Sequence, residues 1–294
     1  MTDKDGKTVY VSKYTNADGS IVLTLPTGFT LDDNGYYTIT ATENMVTGKS
    51  GVAILLKDNS GSSASGKTDK NGKLVLPYST HSAYIFGYED GTFRADNDMT
   101  RAEAAAVFAR LISESKDETI SGKASFADVN KNDWYAKDIG YLEKYGMVKG
   151  YEDNTFRPDE MITRAEFVTM AVRFYGIAND VKLDSVSAVS KYKDIEKNYW
   201  AVKEISFAKD IGWLNGYADG TFKGDNNITR AEAVTVVNRA TGRDADYEYI
   251  NKNYTRINRF TDVNDSDEWY FFDVLEAANA HTASNVSGNE VWVK

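Results

Sequence analysis

The segment Met99-Thr100-Arg101-Ala102-Glu103 returns as Ile162-Thr163-Arg164-Ala165-Glu166 and again as Ile228-Thr229-Arg230-Ala231-Glu232, so its arginines lie 63 and 66 residues apart. Self-similarity on this scale restricts a chain to repeat architectures, in which each unit buries its apolar face against its neighbours. Thr-x-x-Glu spells a capping box: the Thr hydroxyl accepts from the N3 amide, and the N3 Glu reaches back to the N-cap amide. The arginine between them is out of place. It occupies N1, where the helix dipole favours anions and a cation costs roughly a few tenths of a kcal/mol. A single such arginine is an ordinary solvated side chain. Three at the same place predict an anion shared by free helix amides and a guanidinium fork.

Each copy follows one loop pattern: Gly87-Tyr88-Glu89-Asp90-Gly91-Thr92-Phe93, Gly150-Tyr151-Glu152-Asp153-Asn154-Thr155-Phe156 and Gly216-Tyr217-Ala218-Asp219-Gly220-Thr221-Phe222. Gly91, Asn154 and Gly220 are types that tolerate a left-handed backbone, which predicts a tight turn with the following Phe in the core. Amphipathic helices headed by Trp134 and Trp200 precede the second and third loops, and a third follows Trp269. Phe126-Ala127-Asp128-Val129, Tyr192-Lys193-Asp194-Ile195 and Phe260-Thr261-Asp262-Val263 lead into them. The first loop has no Trp helix before it, and the last Trp helix has no loop after it. These complementary halves predict a closed ring of three, with the Trp269 helix packed beside the helix after Thr100. Trp134, Trp200 and Trp269 are expected as core or helix-packing anchors, in preference to the rival reading as sugar-stacking platforms.

Together these motifs resemble the S-layer homology domain over residues 79–294. The resemblance implies a mainly helical, pseudo-threefold module on bacterial surfaces, which holds secreted proteins on the wall without covalent bonds by gripping pyruvylated, anionic secondary cell-wall polysaccharide between repeats. It assigns the pyruvate carboxylate to Arg101, Arg164 and Arg230; the loop glycines Gly87, Gly150 and Gly216 are further candidate ligand-binding residues. Trp213, entering the third loop, is read equally as a sugar platform or as core; Lys149 is a second groove cation or a plain surface lysine. The second repeat keeps Phe156-Arg157-Pro158 intact, whereas the others read Phe93-Arg94-Ala95 and Phe222-Lys223-Gly224.

The fold class expected is therefore α+β and multidomain. Residues 79–122 form a first repeat completed by a C-terminal helix within 260–294, with repeats two and three at 123–185 and 186–250. Before Pro77 the composition changes to β-branched runs, Thr8–Val11, Ser20–Leu25, Tyr36–Thr40, Val52–Leu56 and Lys73–Leu76, punctuated by Asp18-Gly19, Asn34-Gly35 and Asn71-Gly72. These predict a small β-sandwich over residues 1–78. The stretch from Gly51 to Val75 resembles hairpins of Cna-B-like or other bacterial Ig-like modules, which implies a spacer.

A formal net charge of −10 argues against a general nucleic-acid or anionic-membrane binder. The chain has no cysteine and two histidines, His81 and His281, so neither a thiolate site nor a histidine-rich metal site is expected. No cofactor, catalysis or membrane insertion is expected, and the chain is read as a monomer. Asp90, Asp153 and Asp219 fit turns; a calcium-binding module is the rival reading, although the twelve-position ligand spacing is missing. The other alternative is an adhesin or stalk whose β-domain binds a protein. The location expected is extracellular, at the cell wall, and with no signal peptide at the start the sequence is read as a mature or trimmed form in which Met1 need not be the natural start.

Overall fold

The computed structural model describes residues 12–15, 21–24, 79–179, 189, 191–286 and 289–292. Contacts divide the chain into two units, residues 1–78 with 284–288 and residues 79–283 with 289–294. In the first, β1 (Ser12–Thr15) and β2 (Ile21–Thr24) pair antiparallel, Thr15 opposite Ile21. β2 lies within the expected run Ser20–Leu25, but its partner is closer to Asp18-Gly19 than Thr8–Val11. The other expected strands of a β-sandwich lie outside the described residues.

The second unit is mostly helical. After β3 (Ser79–His81) come α1 (Arg101–Lys116), α2 (Ala136–Lys144), α3 (Arg164–Asn179), α4 (Val202–Asp210), α5 (Arg230–Thr241), α6 (Tyr247–Asn253) and α7 (Phe271–Ala278), then β4 (His281–Val286) and β5 (Asn289–Trp292). The long helices α1, α3 and α5 start where the capping boxes place them. The Oγ1 atoms of Thr100, Thr163 and Thr229 accept from the amides of Glu103, Glu166 and Glu232, and those carboxylates accept from the Thr amides. α3 packs against both α1 and α5. Tyr84 bridges α1 and α5: its carbonyl accepts from Arg110, and its hydroxyl lies 2.5 Å from Asn238 Oδ1.

The pseudo-threefold axis is marked by a cyclic set of backbone bonds. The amide of Met99 donates to Ile228, that of Ile228 to Ile162, and that of Ile162 to Met99, at 2.9–3.1 Å. All three side chains are buried. The aromatic-x-Asp segments lock the loops in the same sense. Asp128 accepts from the amides of Phe156 and Arg157, Asp194 from Phe222 and Lys223, and Asp262 from Phe93 and Arg94, all at 2.6–2.8 Å. A C-terminal segment therefore supplies the first loop with the partner its neighbours take from their own upstream sequence.

Three expectations need correction. α7 packs on α5 instead of α1, just as α2 packs on α1 and α4 on α3: each Trp helix docks on the capped helix of the preceding repeat. The segment after α7 is no helix. Its Thr- and Val-containing residues form β4 and β5, and β4 joins β3 in a three-stranded sheet of order β3-β4-β5, with His81 opposite His281. Trp134, Trp200 and Trp269 are 62%, 57% and 60% exposed, because each precedes its helix by two residues and the next residue, Tyr135, Ala201 or Tyr270, takes the inward position.

Candidate functional site

The N1 arginines sit between repeats. Arg101 donates through Nη1 to Glu166 at 2.9 Å, Arg164 Nη1 lies 2.6 Å from Glu232, and Arg230 donates through Nη1 to Glu103 at 2.9 Å. Each Nε donates to a neighbouring loop's Phe carbonyl: Phe156, Phe222 and Phe93 respectively. Every repeat thus offers a guanidinium to the next and receives one from the one before. The receiving Glu is the same residue that caps its own helix. Arg101 lies over the rings of Tyr151 and Phe156, Arg164 over Tyr217 and Phe222, and Arg230 over Tyr88 and Phe93, with 4.7–5.0 Å to each centroid.

This geometry changes the reason for an N1 cation. The expected free amides are taken: the Arg101 and Ala102 amides donate to Glu160 and Pro158, those of Arg164 and Ala165 to Asn226 and Gly224, and those of Arg230 and Ala231 to Asn97 and Ala95. With the N3 amide capped by Thr, no anion site is left on the helix ends. The unfavourable dipole term is offset by a charge-assisted bond to a carboxylate across the repeat boundary, worth about 1.5–3 kcal/mol.

Among the described residues, Phe86, Gly87, Tyr88, Arg110, Trp134 and Arg230, with the carboxylates of Glu89 and Glu103, line an open groove of about 400 Å³ that draws on all three repeats. Spacing gives the corresponding sets as Lys149, Gly150, Tyr151, Arg173, Trp200 and Arg101, and as Asn215, Gly216, Tyr217, Arg239, Trp269 and Arg164. A second arginine series is therefore present. Arg110, Arg173 and Arg239 each donate through Nη1 to a backbone carbonyl, of Tyr84, Met147 and Trp213. It went unread in the sequence, although each lies nine residues after its N1 arginine. Burial pulls the affinity of Arg110 for its proton below the ordinary arginine range, partly offset by Asp138 across α1 and α2.

The glycines Gly87, Gly150 and Gly216 serve packing. A Cβ on them would collide with the rings of Phe260, Phe126 and Tyr192, which close over each loop. Lys149 is exposed and stands where Phe86 stands in the first groove. Trp213 is 5% exposed and wedged against Tyr175 and Phe207, so it is core and no open sugar platform. The turn acids are engaged as well. Asp90, Asp153 and Asp219 accept from both the amide and hydroxyl of Thr92, Thr155 and Thr221, and the first two pair with Arg94 and Arg157. The Thr92 hydroxyl and the Arg94 guanidinium hold Asp90 down at about 2. Such Asx turns account for these acids without calcium.

The S-layer homology domain family matches residues 80–105, 125–168 and 191–234. "Cell surface glycoprotein 1" of Acetivibrio thermocellus is 35% identical over 73% of this chain and 9% of its own length. The "Cellulosome-anchoring protein" of the same organism is 35% identical over 73% of this chain and 46% of its own length. "S-layer protein sap" of Bacillus anthracis is 29% identical over 59% of this chain and 21% of its own length. The chain thus spans less than half the length of these relatives. Among the described residues no helix is long and apolar enough to cross a membrane. Across residues 80–234 the chain carries three S-layer homology domains and belongs to that family.

Proposed function

We propose that this module anchors the polypeptide carrying it to the bacterial cell wall without a covalent bond, by holding an anionic, pyruvylated wall polysaccharide in its inter-repeat grooves. The observation that carries this reading is the pairing, in one groove, of an exposed indole, Trp134, with the Arg110 guanidinium; Arg230 on the same wall is already paired with Glu103. An indole face suits a sugar ring, and a guanidinium fork suits a carboxylate. The relatives named for anchoring and for S-layers support the same role. Among the N1 arginines, Arg230 spends its Nη2 on the Phe86 carbonyl. Arg101 donates through Nε and Nη1, and Arg164 through Nε with its Nη1 2.6 Å from Glu232; among the described residues neither Nη2 has a hydrogen-bond partner, which leaves it for a ligand carboxylate. Lys149 adds a cation at the second groove. The role is binding alone, with no catalysis.

Sedimentation with purified wall sacculi tests it. The full chain is expected to pellet with pyruvylated sacculi and to stay in the supernatant with sacculi stripped of the ketal. The triple variant Trp134→Ala, Trp200→Ala, Trp269→Ala, all at exposed positions, should keep its melting curve and lose at least about tenfold in binding, equivalent to about 1.4 kcal/mol. Wild-type binding by the folded triple variant would exclude the grooves.

A further inference from the structure

The two histidines, 200 residues apart in sequence, meet in one buried cluster with two glutamates. His81 comes from β3, Glu276 from α7, His281 from β4 and Glu290 from β5. One ligand-type atom of each lies within 4.8 Å of all the others. His81 Nδ1 is 3.2 Å from Glu290 Oε1 and 3.6 Å from Glu276 Oε1; His281 Nε2 is 2.7 Å from Glu290 Oε1 and 3.4 Å from Glu276 Oε1. Ligand atoms about 2.0–2.1 Å from a tetrahedral zinc stand about 3.3 Å from one another. The four measured edges bracket that value.

The outward atoms of His281, Glu276 and Glu290 are already occupied, in the way that outer partners orient metal ligands. His281 Nδ1 lies 2.9 Å from the Asn279 carbonyl, which can only accept, so the proton of a neutral ring sits there and Nε2 presents its lone pair inward. Glu276 Oε2 accepts from the Trp292 indole at 3.0 Å, and Glu290 Oε2 accepts from the Asp244 amide at 3.0 Å. The Trp292 ring also stacks on His281, with 3.9 Å between centroids. Glu276 is completely buried, yet its Oε1 has no hydrogen-bond partner, and His81 Nδ1 is likewise buried without one. A wholly buried carboxylate oxygen aimed at two imidazole nitrogens needs a cation.

We infer that His81, Glu276, His281 and Glu290 form a site for one divalent cation of the zinc class, which clamps the strand entering the module to the segment that closes it. Two imidazoles exclude a calcium-type site, which takes oxygen ligands, and two carboxylates balance the charge of a divalent ion. The rival arrangement is a metal-free cluster with both imidazoles protonated.

The test uses the full chain, stripped with chelator and dialysed at pH 7.5. Titration with Zn²⁺ should give one bound equivalent by elemental analysis and a Tm that rises with free Zn²⁺. Co²⁺ should give the intense visible bands of a tetrahedral ion. Loss of an outer-shell partner alone typically weakens metal binding about 10–100-fold, so His81→Asn, at a partly exposed position, should cost at least that. No saturable Zn²⁺ uptake with a featureless Co²⁺ spectrum overturns the site, as does His81→Asn binding with wild-type affinity. If that variant proves unfolded by circular dichroism, the wild-type Co²⁺ spectrum decides by itself.

Discussion

Replacing Arg230 by alanine tests whether the N1 arginines hold the ring together. The side chain is 3% exposed and donates three hydrogen bonds, to the Phe93 carbonyl at 2.8 Å, to Glu103 at 2.9 Å and to the Phe86 carbonyl at 2.9 Å. Its removal leaves Glu103, itself 17% exposed, without its cation while it still caps α1 and accepts from the Tyr88 hydroxyl at 2.7 Å. Breaking one side of a buried pair costs about 3–5 kcal/mol, more than the pair contributes, because the stranded charge remains. For a domain of this size that loss lowers Tm by roughly 6–20 °C. The assay is urea unfolding followed by far-UV circular dichroism, run as a double-mutant cycle with Glu103→Ala. The double variant should recover about 1.5–3 kcal/mol relative to additivity. A loss below about 1 kcal/mol for Arg230→Ala, the size of an exposed pair, would refute the inter-repeat clamp. The same reasoning bears on binding experiments: an Arg→Ala triple variant disturbs the fold before it reports on a ligand, so the exposed tryptophans are the cleaner probes.

Further outcomes follow from other contacts. Thr163→Ala should cost about 0.5–2 kcal/mol in urea unfolding, the value of an N-cap; an unchanged curve would dismiss the cap. Gly150→Ala should cost more than Gly146→Ala, since both backbones are left-handed, at φ +66° and +65°, but only the first meets Phe126 and the Thr155 carbonyl. The open site should cost about 1–2 kcal/mol, and equal losses would refute the crowding argument. In chelated protein, burial opposes charge on both His81 and Glu290, but Glu276 and Glu290 outweigh it at His81 and lift its pKa to about 9, and His281 and His81 outweigh it at Glu290 and hold it down at about 2. The raised pKa gives stability that is complete below about 6.5 and lost as pH rises through about 9; the lowered one gives stability complete above about 4.5 and lost as pH falls through about 2. His281 on β4 and Arg243 after α5 face the same cluster. The stability gap between wild type and His81→Asn should therefore be wider at pH 5.5 than at pH 9.5, and a constant gap would contradict it. Zn²⁺ should reverse the trend, since its ligands bind only after losing their protons.

The capped helices, the left-handed turn residues and the plug residues Phe93, Phe156 and Phe222 were legible because each is settled by local chemistry repeated three times. Arg101, Arg164 and Arg230 were correctly marked as anomalous, but the partner they require is the Glu of the adjacent repeat, and one motif viewed alone cannot reveal that it completes its neighbour. Trp134, Trp200 and Trp269 were misplaced because helical periodicity was extended two residues beyond the true start, where a turn sends the indole outward. His81 and His281 lie at opposite ends of the module, so composition discounted them and only closure of β3 against β4 brings them together. The Arg110, Arg173 and Arg239 series is readable at a constant offset of nine from the N1 arginines, but a mid-helix arginine carries no local anomaly to set it apart from a solvated one.

The cyclic bonds among Met99, Ile162 and Ile228 fix how many units this architecture admits. An open solenoid lengthens by adding a unit at either end, with no bond broken elsewhere. Here each amide already serves the carbonyl of another unit in a circuit with one rotational sense, so a fourth unit has no point of attachment, and two units leave an orphan donor and an orphan acceptor on a buried axis. Sequence variation is left to the rim, where the residue before the loop glycine has become Phe86, Lys149 or Asn215, while the hub admits no change of number.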